Sequence, residues 1–392
     1  MHEDDKIRGL LAGGFLTLLI AMGVGRFAYT PLLPPMLVEY RLLPEQAGFL
    51  ASVNLFGYFA GAFAAAALCR ALGELRLLTV GLLLSGASTA ATGFSTLFPF
   101  VAAMRFAAGL ASAFCFVAAS GIVLAYLARE QRSGLAGIYF AGVGSGIVFS
   151  GLLAVPLTDH FGADGAWILL GLLSLLLAWP VRQLLQRGLA GRQGDSAAGK
   201  PELPRQWRFY RLIAAYGLEG FGYIITGTFL VAAARNTFGP SGAAAAWIVA
   251  GLAAIPSAWL WSRAARRRGP LPPLIGAHLL QAIGVALPAV FPHPAGVVIG
   301  AVLFGGTFMG IVTLTFAVAG EISAAARTRA IALLTTVYGV GQIIGPTVAG
   351  YLVTRTGGYE LSLLLAAGAI VAGGALLLTD ALRPPSVTGG KC

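Results

Sequence analysis

Charge is scarce in this sequence. Of 392 residues, only 10% are Asp, Glu, Lys or Arg, against roughly 25% in an average soluble domain. A chain with so few charges cannot clothe two or three soluble domains in a solvated surface, so that class is excluded. Acidic residues are scarcer still, 15 against 26 Lys and Arg. The resulting charge of +11 is not a nucleic-acid stripe, because the basic residues stand between long apolar runs and lack interleaved aromatics. Cysteine is limited to Cys69, Cys115 and Cys392, an odd number without metal spacing, which argues against a disulfide framework and a zinc site. No His/Asp/Glu group has ligand spacing either, so no metal, cofactor or enzymatic centre is expected.

Apolar residues are abundant: 57% of the chain, with a mean hydropathy of +0.82. A helix needs about 20 apolar residues to cross the hydrocarbon core, and twelve stretches qualify, at 10–38, 44–68, 76–95, 97–127, 133–157, 164–183, 209–235, 242–262, 271–291, 294–320, 329–354 and 360–381. The runs are continuous rather than alternating, which excludes a transmembrane β-barrel. The first run is longer than a cleaved signal and ends in Pro31, Pro34 and Pro35. The sequence thus predicts an all-α membrane protein: a six-helix bundle over 1–183, a cytoplasmic linker over 184–208 and a second six-helix bundle over 209–392.

Lys and Arg are retained on the cytoplasmic side of membranes. With the N-terminus inside, 21 of the 26 fall there, while Arg41, Arg235 and Arg355 fall opposite and Arg26 and Arg105 lie within spans. Both termini are therefore expected in the cytoplasm. In the linker, Gly194 to Lys200 mimics a phosphate-binding loop, but Pro201 replaces its Ser/Thr, so ATP drive is not expected.

The halves repeat. A shift of 194 lays Phe27 and Tyr29 on Phe221 and Tyr223; a shift of 196 lays Arg70 and Gly73 on Arg266 and Gly269. A shift of 197 carries Gly109, Arg132 and Gly142-Val143-Gly144 onto Gly306, Arg329 and Gly339-Val340-Gly341. Parallel repeats of this kind are related by an axis along the membrane normal, with transport at their interface. The loops at Arg70…Gly73 and Arg266-Arg267-Arg268-Gly269, the Arg105-Phe-Ala-Ala-Gly109 segment, and the glycine-rich fifth and eleventh spans (Gly142-Val-Gly144-Ser-Gly146; Gly341-Gln-Ile-Ile-Gly345-Pro346) resemble motifs of the major facilitator superfamily. Gly25-Arg26-Phe27-Ala28-Tyr29-Thr30-Pro31-Leu32-Leu33-Pro34 further resembles its YbfB/YjiJ-type branch. The loop's usual acidic residue is Cys69 in one copy and Ala265 in the other. The resemblance implies a bacterial inner-membrane secondary transporter working by alternating access, with the lipid bilayer, a small solute and protons as its partners.

Ionisable groups inside a bilayer cost several kcal/mol on insertion scales and mark function by default. Three lie deep: Arg26, Arg105 and Glu219. The repeat sets Glu219 opposite Gly25, beside the slot of Arg26, so both charges are expected at the central cavity. Helical spacing adds Tyr223 and Thr226 to Glu219, Tyr29 to Arg26, Tyr58 to Asn54 and Gln342 to Tyr338. Glu219 with Arg26 forms the candidate proton-coupling pair, since a carboxyl in a low-dielectric cavity changes its proton affinity as an arginine approaches or withdraws; the competing reading is a permanent structural ion pair. Arg26, Tyr29, Asn54, Tyr58, Arg105, Tyr223, Thr226, Tyr338 and Gln342 are the candidate solute ligands, with Arg105 also open to a purely structural role. Arg70, Glu130, Arg132, Glu321 and Arg329 are the candidate gating charges, Glu130 with Arg129 and Arg132, and Glu321 with Arg327 and Arg329. His278 and Gln281, in the ninth span, read as structural, and Asp159, His160 and Asp164 as solvated loop charges.

The function expected is movement of a small anionic or zwitterionic solute, coupled to protons, by a monomer. The alternatives are a proton-antiporting exporter of neutral or amphipathic compounds and a non-transporting receptor on the same fold. A channel would need no titratable partner, and a membrane enzyme would need the nucleophile or metal cluster that is missing.

Overall fold

A computed structural model describes residues 3–186, 206–322 and 327–381, so the phosphate-loop mimic and most of the linker lie outside the described residues. Every regular element among the described residues is helical. The first span is built of α1 (Glu3–Leu18), a π-helical stretch (Leu19–Phe27) and α2 (Tyr29–Glu39). It is followed by α3 (Pro44–Leu72), α4 (Glu74–Thr92), α5 (Phe98–Arg129) and α6 (Ala136–Gln186). The second half holds α7 (Trp207–Ala254), α8 (Ser257–Arg268), α9 (Leu271–Val290), α10 (Pro294–Ile322), α11 (Arg327–Thr356) and α12 (Glu360–Ala381). Ten described helical segments are long and apolar enough to cross a membrane; the pair Gly242–Ala254 and Ser257–Arg268, bent by 40°, makes an eleventh. Large apolar side chains such as Phe63, Leu176 and Trp179 project outward, as lipid requires.

Glycines set the breaks. Gly162 (φ 68°, ψ −179°) interrupts α6, and Gly239 (φ 70°, ψ −180°) interrupts α7, in a region of backbone space that is essentially reserved for glycine. The loops that the sequence aligns at a shift of 196 share their geometry as well: Gly73 (φ 83°, ψ 150°) and Gly269 (φ 73°, ψ 166°) each end one helix directly against the next. At the next repeated pair the structure corrects the register. A methyl group on Gly109 would collide with the backbone of Asn54 on α3, and one on Gly305 with the backbone of Ala250 on α7, whereas Gly306 faces open space. Gly109 therefore corresponds to Gly305, again at 196, and not to Gly306.

The two halves of the chain meet where α3 packs on α11, α6 on α7 and α2 on α7. At the end of the seam far from the N-terminus, Gly48 and Gly350 bring α3 and α11 backbone to backbone. Thr347 Oγ1 lies 2.8 Å from Ser52 Oγ, the Glu45 amide donates to Thr354 Oγ1 at 3.2 Å, and Arg235 donates to the Pro34 carbonyl at 3.4 Å. This distal end is closed. Beside it, Glu39 accepts from the Ala163 amide at 2.8 Å, just past the Gly162 break, and Asp164 Oδ1 is buried beside the Tyr40 hydroxyl, so Asp164 is not the solvated charge expected.

Candidate functional site

The π-helical stretch positions the first charge. A π-turn displaces backbone carbonyls from the regular ladder and needs outside donors to hold it. Those donors come from α5: Arg105 Nη1 donates to Gly25 O at 3.3 Å and Nη2 to Arg26 O at 3.4 Å, while Ser112 Oγ lies 2.6 Å from Ala21 O. Gly23 makes the bend fit by lying directly on Gly146 of α6, and Gly25 by clearing the hydroxyls of Ser85 and Ser112. The Arg105 guanidinium also lies 5.1 Å from the rings of both Tyr29 and Trp167, with the residue 1% exposed. Arg105 thus braces the stretch that carries Arg26.

Arg26 points across the seam. It donates from Nη2 to Gln342 Oε1 of α11, and its guanidinium carbon lies 4.9 Å from the Tyr58 ring and 5.3 Å from the Phe27 ring. Its Nε is buried without a partner. A small cavity opens between the halves here, lined by residues including Arg26, Tyr29, Thr30, Asn54, Arg105 and Thr228. It has about 20 Å³ open to water centres, enough for about one water. The cavity lining contains two arginines and no carboxylate. Tyr29 donates to Ala47 O at 2.8 Å and Asn54 to Arg105 O at 2.8 Å, both tying helices together at the cavity wall, and Thr30 donates across the seam to Gly227 O.

Glu219 is elsewhere. No ion pair joins it to Arg26: its Oε1 accepts from Gln281 Nε2 of α9 at 2.6 Å, Gln281 Oε1 lies 2.9 Å from Thr307 Oγ1 of α10, and Glu219 Oε2 is buried without a partner. The expected pairing fails for a geometric reason. Glu219 corresponds to Gly25, one position before Arg26, and one position is about 100° around a helix. The face of α7 that reaches the cavity carries Ile224, Gly227 and Thr228, so the stripe of Glu219, Tyr223 and Thr226 turns into the second half instead. There Tyr223 stacks with Phe308 at 5.5 Å, Phe304 at 6.0 Å and Tyr338 at 5.9 Å, and Tyr338 stacks on Tyr216 at 4.2 Å. The Thr226 hydroxyl is buried and unpartnered.

Of the gating candidates, Glu130 pairs with its sequence neighbour Arg129 at 2.8 Å. Arg70, Arg132, Glu321 and Arg329 are exposed, and the side chain of Arg327 lies outside the described residues. His278 is structural in its Nδ1 contact, 2.9 Å from Leu274 O of its own helix. Gln281, read with it as structural, is the hydrogen-bond partner of Glu219. In the sequence its only mark is that of a polar residue in a largely apolar helix.

Set beside known proteins, residues 18–378 match the family described as uncharacterised MFS-type transporter YbfB, MFS being the major facilitator superfamily. The chain is 25% identical to an uncharacterized MFS-type transporter, YceJ, of Bacillus subtilis (strain 168), over 87% of this chain and 89% of that one. It is 29% identical to monocarboxylate transporter 13 of Bos taurus over 65% of this chain, spanning 62% of that relative's length. In fold it is similar to the crystal structure of the nucleoside transporter NupG, with a TM-score of 0.75 at 14% identity, covering 97% of this chain and all of that one. It is thus a multi-pass membrane protein of this fold, and by its family match the chain belongs to the uncharacterised MFS-type transporters described under YbfB.

Proposed function

We propose that this chain is a proton-coupled secondary transporter of small organic anions. The observation that carries the reading is the cavity between the halves, walled by Arg26 and Arg105 with no acidic residue in its lining. A buried guanidinium without a counter-charge is costly, and a carboxylate offered to the free Nε edge of Arg26 supplies the missing charge in the geometry that arginine favours. The relative named as a monocarboxylate transporter is in keeping with that chemistry.

Alternating access follows from the architecture proposed with it. Dividing α6 at Gly162, since 51 helical residues would run to about 77 Å against a hydrocarbon core of about 30 Å, gives twelve crossings: six in 1–183, six in 209–392, and a linker at 184–208. With both termini in the cytoplasm of a bacterial inner membrane, the zipped distal end faces outward and the described conformation is one closed to the outside. Coupling is assigned to Glu219, which is 1% exposed and has a neutral amide as its partner, so no cation locks its charge. The protein acts as a monomer.

The test is uptake of radiolabelled lactate and benzoate into proteoliposomes under an imposed pH gradient. Saturable uptake driven by the gradient, lost in Arg26→Ala and uncoupled from pH in Glu219→Gln, is expected. Unchanged carboxylate uptake in Arg26→Ala would overturn the anion site, and export of neutral amphipathic dyes without carboxylate uptake would favour the drug-efflux alternative.

A further inference from the structure

Glu219 sits in a hydrogen-bond chain in which several acceptors compete for a single hydroxyl proton. Thr307 has one hydroxyl proton and three acceptors around it: Leu303 O at 2.6 Å, Gln281 Oε1 at 2.9 Å and Phe304 O at 3.2 Å. The shortest contact is to the carbonyl of its own helix, which leaves Gln281 Oε1 without a donor whenever that bond is made. A half-turn of the Gln281 amide removes the conflict, provided that Glu219 carries a proton. Glu219 then donates to Gln281 Oε1, Gln281 Nε2 donates to Thr307 Oγ1, and Thr307 donates to Leu303 O, so each of the three bonds has its own proton. With Glu219 ionised, Gln281 Nε2 must donate to the carboxylate and the Thr307 proton must leave Leu303 O for Gln281 Oε1. The same heavy atoms thus hold two hydrogen-bond patterns, one for each charge state.

We infer that Gln281 is the positioning residue for proton coupling, turning its amide as Glu219 gains or loses its proton, with Thr307 as the hinge of the switch; this rests on the coupling role proposed for Glu219. Deprotonation releases one proton to water, breaks the bond from Glu219 to Gln281 and replaces it with one from Gln281 to Glu219, and moves the Thr307 proton from α10's own carbonyl to α9. Reversing the Gln281–Thr307 bond while Leu303 O loses its hydroxyl donor changes how α10 is held against α9, so the charge state is transmitted to helix packing. The unpartnered Oε2 of Glu219 is the atom that water must reach. The other titratable groups facing Glu219 are Tyr216 and Tyr223 on α7 and Tyr338 on α11, with His278 one turn from Gln281 on α9; α10 brings only the Thr307 hydroxyl, and the described part of α12 packed there brings small and apolar residues, Gly373 and Gly374 among them.

Infrared titration of the purified full chain in lipid nanodiscs, with protons as the only probe, tests this. In the wild type, a protonated-carboxyl band that is missing from Glu219→Gln should titrate together with a glutamine amide band that is missing from Gln281→Leu. The near-isosteric Thr307→Val should move the midpoint by up to roughly tenfold in proton concentration, the upper size of a hydrogen bond between neutral groups, and Thr307→Ser should restore it. A carboxyl band that titrates while the amide band stays fixed, or a midpoint unmoved in Thr307→Val, would overturn the inference and leave coupling at Glu219 standing. A Glu219 band that never changes over the range in which the protein stays folded would overturn both.

Discussion

Arg26 and Glu219, of opposite charge and one position apart in the repeat, face different neighbours: Arg26 reaches across the seam to Gln342, and Glu219 reaches into its own half to Gln281. On the function proposed above, solute charge and coupling proton are then held at separate places. Their communication must pass through α7 and α11, where Tyr223 and Tyr338 stack between the two sites, and not through a direct ion pair that forms and breaks.

Separate sites make the two charges separable by mutation. Arg26→Lys keeps the charge but loses the planar fork that serves Gln342 and the free Nε edge together. Carboxylate binding should weaken by roughly 10-fold to 100-fold, the range of one charge-assisted hydrogen bond, while the pH dependence that remains is unchanged. Isothermal titration of the purified protein at several pH values measures both.

Arg105 should behave differently. Its two terminal nitrogens hold the carbonyls of Gly25 and Arg26, so Arg105→Gln leaves the π-helical stretch with unsatisfied carbonyls, a loss of about 1–3 kcal/mol for each group stranded. A lower unfolding temperature in detergent is expected for Arg105→Gln even without solute, whereas Arg26→Lys should unfold close to wild type. Equal melting of the two variants would return Arg105 to the list of direct ligands.

The fold was legible because its signals are one-dimensional. Runs of apolar residues gave span edges such as 44–68 and 294–320, close to the observed Pro44–Leu72 and Pro294–Ile322, and Gly73 and Gly269 marked equivalent loops. The site was legible only in part. Arg26, Tyr58 and Gln342 do converge, but which way Glu219 points depends on a rotation of 100° per residue, and repeat shifts that vary from 194 to 197 cannot fix so small an offset. Gln281 reads only as structural and Thr307 carries no signal in the sequence, because polar residues in apolar helices become meaningful only when their neighbours on other helices are known. The π-turn, which depends on donors from α5, leaves no periodicity of its own.

The corrected repeat register is open to a direct check. A methyl group on Gly305 meets the backbone of Ala250, which cannot retreat without moving a helix, while one on Gly306 meets nothing within 4 Å. Overpacking of this kind costs about 1–3 kcal/mol. Gly305→Ala should therefore lower the unfolding temperature by several degrees and Gly306→Ala should leave it near wild type, as read by thermal shift. The reverse order would restore the 197-residue register.

Closure of the distal end rests on a few short contacts, and the Ser52 and Thr347 hydroxyls, 2.8 Å apart across α3 and α11, are the best placed to be converted into a covalent lock. With Cys69, Cys115 and Cys392 replaced by serine or alanine, Ser52→Cys with Thr347→Cys should form a disulfide on mild oxidation, because the two side chains already point at each other across closely packed backbones. Alternating access requires that this seam open in every cycle. The oxidised protein should then lose uptake, and reductant should restore it, while solute binding from the N-terminal end persists in the locked state. Uptake that continues at the wild-type rate with the disulfide verified by mass spectrometry would mean that the distal seam does not open during uptake, and alternating access through it would be overturned.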